Sequence, residues 1–94
     1  MATKFAHEPA ASRYTMHIDG QLVALADYIV NGHSMSFNHT YTQPAQRGQG
    51  YAGEVVDFAM NDVEKTTDFK VLPMCWYVAD WFEKHPERAS LLTR

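Results

Sequence analysis

The chain has a single cysteine, Cys75, and its apolar runs are short, Leu22 to Ala26 being one of the longest. One cysteine permits no internal disulfide, the usual brace of a small secreted domain, so a reducing, cytoplasmic setting is expected. The first twelve residues carry Lys4, His7 and Glu8 without an apolar run, which reads as neither a signal peptide nor a membrane anchor. No segment approaches the roughly 20 apolar residues that a bilayer-spanning helix needs. A basic stripe is also missing. Eight Lys and Arg stand against eleven Asp and Glu, for a net charge of -3, and the basic residues are scattered from Lys4 to Arg94. No nucleic-acid partner is therefore expected. The five histidines, His7, His17, His33, His39 and His85, show no paired ligand spacing, and one Cys cannot supply a structural zinc site, so no metal is expected. A nucleophilic-serine pattern of the Gly-x-Ser-x-Gly kind is absent too.

What is present suits one ordered α/β (α+β) core. Of 94 residues, 46% are hydrophobic and 13% aromatic, enough to offset chain entropy in one domain but short of two. Residues 1–11, with Pro9 and no periodicity, read as a flexible lead-in to a single domain over residues 12–94. From Arg13, Tyr14, Met16 and Ile18 alternate with Thr15 and His17, the period of a half-buried strand. Asp19-Gly20 is a tight-turn pair, and the Leu, Val, Ala, Tyr and Ile of residues 21–30 form the second strand. Asn31-Gly32 signals another hairpin. In residues 33–41, Met35, Phe37, His39 and Tyr41 alternate with Ser34, Ser36, Asn38 and Thr40, which completes an antiparallel three-strand meander.

Beyond Pro44 the period changes. Gln46-Arg47-Gly48-Gln49-Gly50 is too polar and glycine-rich for a regular element, whereas Ala52, Val55, Val56, Ala59 and Val63 recur at helical spacing over residues 51–66. A crossover helix follows the loop directly. Residues 68–72 form a further short strand stopped by Pro73, placed parallel or adjacent to the third strand by the crossover. A C-terminal helix follows through Tyr77, Val78, Trp81 and Phe82, then a last turn from Pro86 to Leu92. Glu54, Asp57, Asp62 and Glu64 read either as an acidic substrate surface or as a solvated helix face; of Trp76 and Trp81, at least one belongs to the core.

The segment Arg47-Gly48-Gln49-Gly50-Tyr51-Ala52 carries the chemistry. Glycines let backbone approach closely, and the unpaired amides of a helix start, aided by its dipole, attract phosphate oxygens. The same glycines also suit a plain strand-to-helix turn. The segment lacks the Gly-Lys-Ser/Thr ending of a Walker loop and the three-glycine spacing of a Rossmann fingerprint.

Arg47-x-x-Gly50-x-Ala52 resembles the Arg/Gln-x-x-Gly-x-Gly/Ala signature of the GNAT superfamily of acyl-CoA-dependent N-acetyltransferases. His39-Thr40, Pro73-x-Cys75-x-Tyr77-Val78 and His85-Pro86-Glu87 are similar to its short, single-domain branch, and the likeness runs from Arg13 to Leu92. The resemblance implies the minimal fold of that superfamily and transfer of an acetyl group from acetyl-CoA to an amine, with a protein side chain as one acceptor. It also leaves a reading as a CoA or acyl-CoA binding module without catalysis. The chain would then act as a monomer or weak homodimer.

By the same resemblance, Arg47, Gly48, Gln49, Gly50, Tyr51 and Ala52 hold the cofactor's pyrophosphate, Thr40 and Tyr41 contact the pantetheine arm, and Tyr77 lies against the cofactor. Cys75 and His39 are the catalytic candidates. Cys75, near the start of the last helix, could accept the acyl group, protonate the leaving thiol or only pack against the cofactor. His39 is either the base that frees the amine or a hydrogen-bonded histidine on a core-facing strand. Tyr77 either donates a proton to the thiolate or packs in the apolar stripe. The tight hairpin at Asp19-Gly20 leaves no room for an acceptor-shaping insertion, so an open acceptor surface is expected.

Overall fold

The computed structural model describes residues 2–94. Within them Thr3–Glu8 (β1), Arg13–Ile18 (β2), Gln21–Asn31 (β3), Ser34–Thr42 (β4) and Lys70–Pro73 (β5) form one sheet in the order β1-β2-β3-β4-β5. Residues 3–8, expected as part of a flexible lead-in, are thus an edge strand paired antiparallel to β2; Met1 lies outside the described residues. The strand has only Phe5 as a large apolar residue. Besides its ladder to β2 and the stacking of Phe5 on Phe58 at 5.2 Å, it is held by His7, whose ring stacks on Tyr14 at 4.2 Å and whose Nε2 lies 2.6 Å from the Tyr28 hydroxyl. Period-two reading of apolar residues does not count a histidine as an inward side chain.

The hairpins stand as expected. Asp19 (φ 51°) and Gly20 (φ 82°) supply the two positive angles that a tight turn needs between β2 and β3. Tyr51–Thr66 (α1) crosses to β5, which runs parallel to β4, and its Val55, Val56, Ala59, Met60 and Val63 are all buried. Trp76–Lys84 (α2) buries Val78, Trp81 and Phe82, and the 3-10 segment Pro86–Leu92 adds Leu91 to the same core. Of the two tryptophans, Trp81 is the core residue, while Trp76 is 77% exposed. The short strand begins at Lys70 rather than residue 68.

Cross-strand partners share a face. Tyr14 pairs with Ala26, and its hydroxyl donates to Asp62 of α1 at 2.7 Å, so this face carries the helix. Both α2 and the C-terminal segment sit on it too: Tyr77 reaches Gly53, and Arg88 reaches Asn61 and Glu64. The opposite face, with Leu25, Asp27 and Ile29, has no helix over it among the described residues.

A bulge in β4 decides the site. Asp27 pairs with His39 and Tyr28 with Phe37, which leaves Asn38 as an extra residue. The alternation that puts Met35 and Phe37 in the core is thereby reset. Thr40 and Thr42, opposite the buried Ala26 and Ala24, inherit the helix-side face, and His39 and Tyr41 turn to the open one. The expectation of a core-facing His39 in phase with Phe37 is corrected: His39 is exposed.

Candidate functional site

The parallel ladder between β4 and β5 runs from Ser34–Lys70 to Phe37–Pro73. Pro73 has no amide hydrogen with which to extend it. The next two amides, of Met74 and Cys75, both donate to the Phe37 carbonyl, at 3.0 and 2.9 Å, and the chain turns from there into α2. Past Phe37, β4 therefore continues as far as Thr42 paired with β3 alone, its β5-side edge open, and β4 and β5 part.

Cys75 and Thr40 face each other across this parting. The Thr40 Oγ1 lies 3.7 Å from the Cys75 Sγ, and the sulfur is half-buried. Burial pushes the thiol pKa up, but the backbone amides of Tyr77, Val78 and Thr40 and the Thr40 hydroxyl together outweigh it, so the pKa lies below its ordinary value. Cys75 is the residue preceding the first turn of α2; its sulfur lies near the Tyr77 and Val78 amides without the geometry of a capping hydrogen bond. Electron-rich sulfur is thus favoured at a helix start.

The loop forms the other end of the site. Pro44–Gln46 is a 3-10 turn, Gly48 (φ 84°) and Gly50 (φ 80°) adopt left-handed angles, and α1 begins at Tyr51 with no side chain capping it. The amides of Tyr51, Ala52 and Gly53 consequently have no acceptor within the helix. Thr42, Gln46, Arg47, Gly48, Gly50, Tyr51, Ala52 and Tyr77 line a cavity of about 320 Å³ at this helix start. Arg47 is exposed, and no ion pair among the described residues engages it. A positive side chain, left-handed glycines and free amides match the needs of a diphosphate.

Most of the expected site residues are thus brought together. Thr40 and Cys75 meet at the parting, while Arg47, Gly48, Gly50, Tyr51, Ala52 and Tyr77 line the cavity. Three are placed apart: Gln49 is exposed and outside the cavity lining, and the side chains of His39 and Tyr41 lie on the open face of the sheet, Tyr41 beside Leu25. Thr42 and Gln46 line the same cavity and Gly53 the adjoining one, with no local motif to mark them as site residues. Thr42 was legible only with the bulge known, because the bulge alone moves the even-numbered residues to the helix side.

The carboxylates expected on α1 divide. Asp62 is engaged by Tyr14 and Glu64 by Arg88, whereas Glu54 and Asp57 are exposed and line a second cavity of about 320 Å³ between α1 and α2, which shares Gly50 and Tyr77 with the first.

The description GCN5-related N-acetyl-transferase belongs to the family that matches the chain over residues 13–91. In fold the chain is similar to the ribosomal-protein-alanine N-acetyltransferase of Brucella melitensis biovar Abortus 2308, with a TM-score of 0.59 and 18% identity over 83% of this chain. It is also similar to a predicted acetyltransferase of Clostridium acetobutylicum solved with acetyl-CoA, with a TM-score of 0.51 and 19% identity over 78% of this chain. The chain spans 64% and 55% of the length of those two proteins. No curated protein matches it in sequence.

Proposed function

As the chain belongs to the GCN5-related N-acetyl-transferase family, we propose that it transfers an acetyl group from acetyl-CoA to an amine acceptor, possible acceptors including a protein side chain. The observation that carries this reading is the line from the α1 amides and Arg47, along the edge of β4 that β5 leaves open, to Thr40 and Cys75. One end suits a diphosphate and the other a thioester. An extended arm between them would find the hydrogen-bonding groups on the side of β4 that has lost β5.

In direct transfer the neutral amine attacks the thioester carbonyl, the C–N bond forms, the C–S bond breaks, and the departing thiolate takes a proton. Alignment of the two reactants supplies much of the rate. Cys75 is suited to give that proton, because a thiol with a lowered pKa transfers it downhill to an ordinary alkyl thiolate. His39, on the open face beside Asp27, is suited to receive the amine's proton from an acceptor that approaches through the parted strands from the side opposite the donor. With no helix over that face among the described residues, the acceptor surface is open, which favours an exposed amine over an enclosed metabolite.

The open face also supports a second reading, an acyl-CoA binding module that holds the donor without turnover. Calorimetry with acetyl-CoA, followed by measurement of free thiol release with a panel of amines and peptides, tests both. Binding with acceptor-dependent thiol release is the expected result; binding alone would leave the module, and no binding would end both readings.

A further inference from the structure

Gly53 stands in the first turn of α1, a position where glycine is among the worst of helix formers. Its backbone is ordinary, with no left-handed angle to require glycine. The reason lies across the groove. A Cβ on Gly53 would come within 3.3 Å of the Tyr77 hydroxyl oxygen, tighter than an ordinary van der Waals contact. Gly53 is thus the seat on which that hydroxyl rests.

The seat is at the third of the free amides that open α1. Tyr77 lines the cavity formed by Arg47, Gly48, Gly50, Tyr51 and Ala52, and also the adjoining groove between α1 and α2. Among the described residues its hydroxyl has no protein partner of the kind that holds the Tyr14 and Tyr28 hydroxyls, which lie 2.7 Å from Asp62 and 2.6 Å from His7. We infer that the Tyr77 hydroxyl donates a hydrogen bond to the diphosphate of the donor, and that Gly53 is the positioning residue that admits it. This assignment rests on the acyl-CoA reading. It puts the hydroxyl at the phosphate end of the donor, over α1, and not at the thioester beside Cys75.

A double-mutant cycle on CoA binding tests it. Tyr77→Phe weakens CoA about tenfold, the worth of one hydrogen bond to a charged group. Gly53→Ala weakens CoA several-fold in the wild-type background but not in Tyr77→Phe, where the colliding oxygen is gone. Thermal melts accompany each variant, since Ala ordinarily favours a helix and folding must be intact. The ³¹P shift of the bound diphosphate moves in Tyr77→Phe. Equal losses from Gly53→Ala in both backgrounds, no loss at all, or an unchanged ³¹P shift would each overturn the assignment while CoA still binds the wild type. A wild type that binds no CoA is a different result, and it removes the acyl-CoA reading itself.

Discussion

The Thr40 hydroxyl of β4 lies 3.7 Å from the Cys75 sulfur at the start of α2, a contact that spans two strands just past the point where they part. It sits on the helix-side face because the bulge at Asn38 has shifted the phase of β4 by one residue. This relationship has a measurable acid–base consequence.

The Thr40 hydroxyl and the nearby backbone amides favour the Cys75 thiolate, so the pH midpoint of alkylation by iodoacetamide is expected below that of a free cysteine. Thr40→Val removes the hydroxyl and should raise the midpoint toward the ordinary value. An unchanged midpoint in Thr40→Val would show that the backbone amides act without the hydroxyl.

Gly50 holds a left-handed angle of 80° just before α1, with open space around it. Gly50→Ala should therefore cost about 1–2 kcal/mol of stability through backbone strain alone. Urea titration measures that loss. CoA affinity should fall in the same variant, because the loop no longer presents the same amides; retained affinity would detach the loop from the donor.

His39 is exposed on the open face, away from the hydrophobic core. His39→Ala is expected to leave the melting temperature and CoA affinity nearly unchanged while lowering acceptor-dependent thiol release at least tenfold. Undiminished release would remove His39 from the reaction.

Tyr14 provides a stability test far from the site. Burial and then the hydrogen bond to Asp62 raise its phenol pKa above the ordinary 10.0, so the folded state keeps a proton that the unfolded chain gives up. The associated stability is fully present below about pH 10 and is lost as pH rises beyond it. Denaturation profiles of the wild type should fall off in that alkaline range, and those of Tyr14→Phe should fall off less steeply.

His7→Ala removes the stacking on Tyr14 and the contact with the Tyr28 hydroxyl, and should destabilise the protein by about 1–3 kcal/mol. A loss below 0.5 kcal/mol, the scale of an ordinary surface change, would mean that the His7 contacts add little to holding residues 3–8.

Much of the site could be read along the chain because its signals are local. The loop's glycines, Arg47 and the helix beginning at Tyr51 are contiguous, and the period of Val55, Val56, Ala59 and Val63 places α1 at Tyr51–Thr66, the expected bounds. His39 and Thr40 were harder. Strict alternation groups His39 with Phe37, and nothing in Phe37-Asn38-His39 announces an extra residue, since a bulge is a property of two strands in register. The same holds for Gly53, whose role comes from a tyrosine in another helix.

The order of the elements from Arg13 onward, the turns at Asp19-Gly20 and Asn31-Gly32, the glycine loop opening into a helix, and the position of Cys75 before the last helix are written in the sequence. Each depends on propensity or on spacing of a few residues. The tertiary structure alone decided that residues 3–8 are a strand, that β4 and β5 part after Phe37 and Pro73, and which side of the sheet each candidate faces. Those outcomes depend on contacts between residues distant along the chain, His7 with Tyr14 and Tyr28, Asp27 with His39, and Phe37 with Met74 and Cys75, which no local pattern encodes.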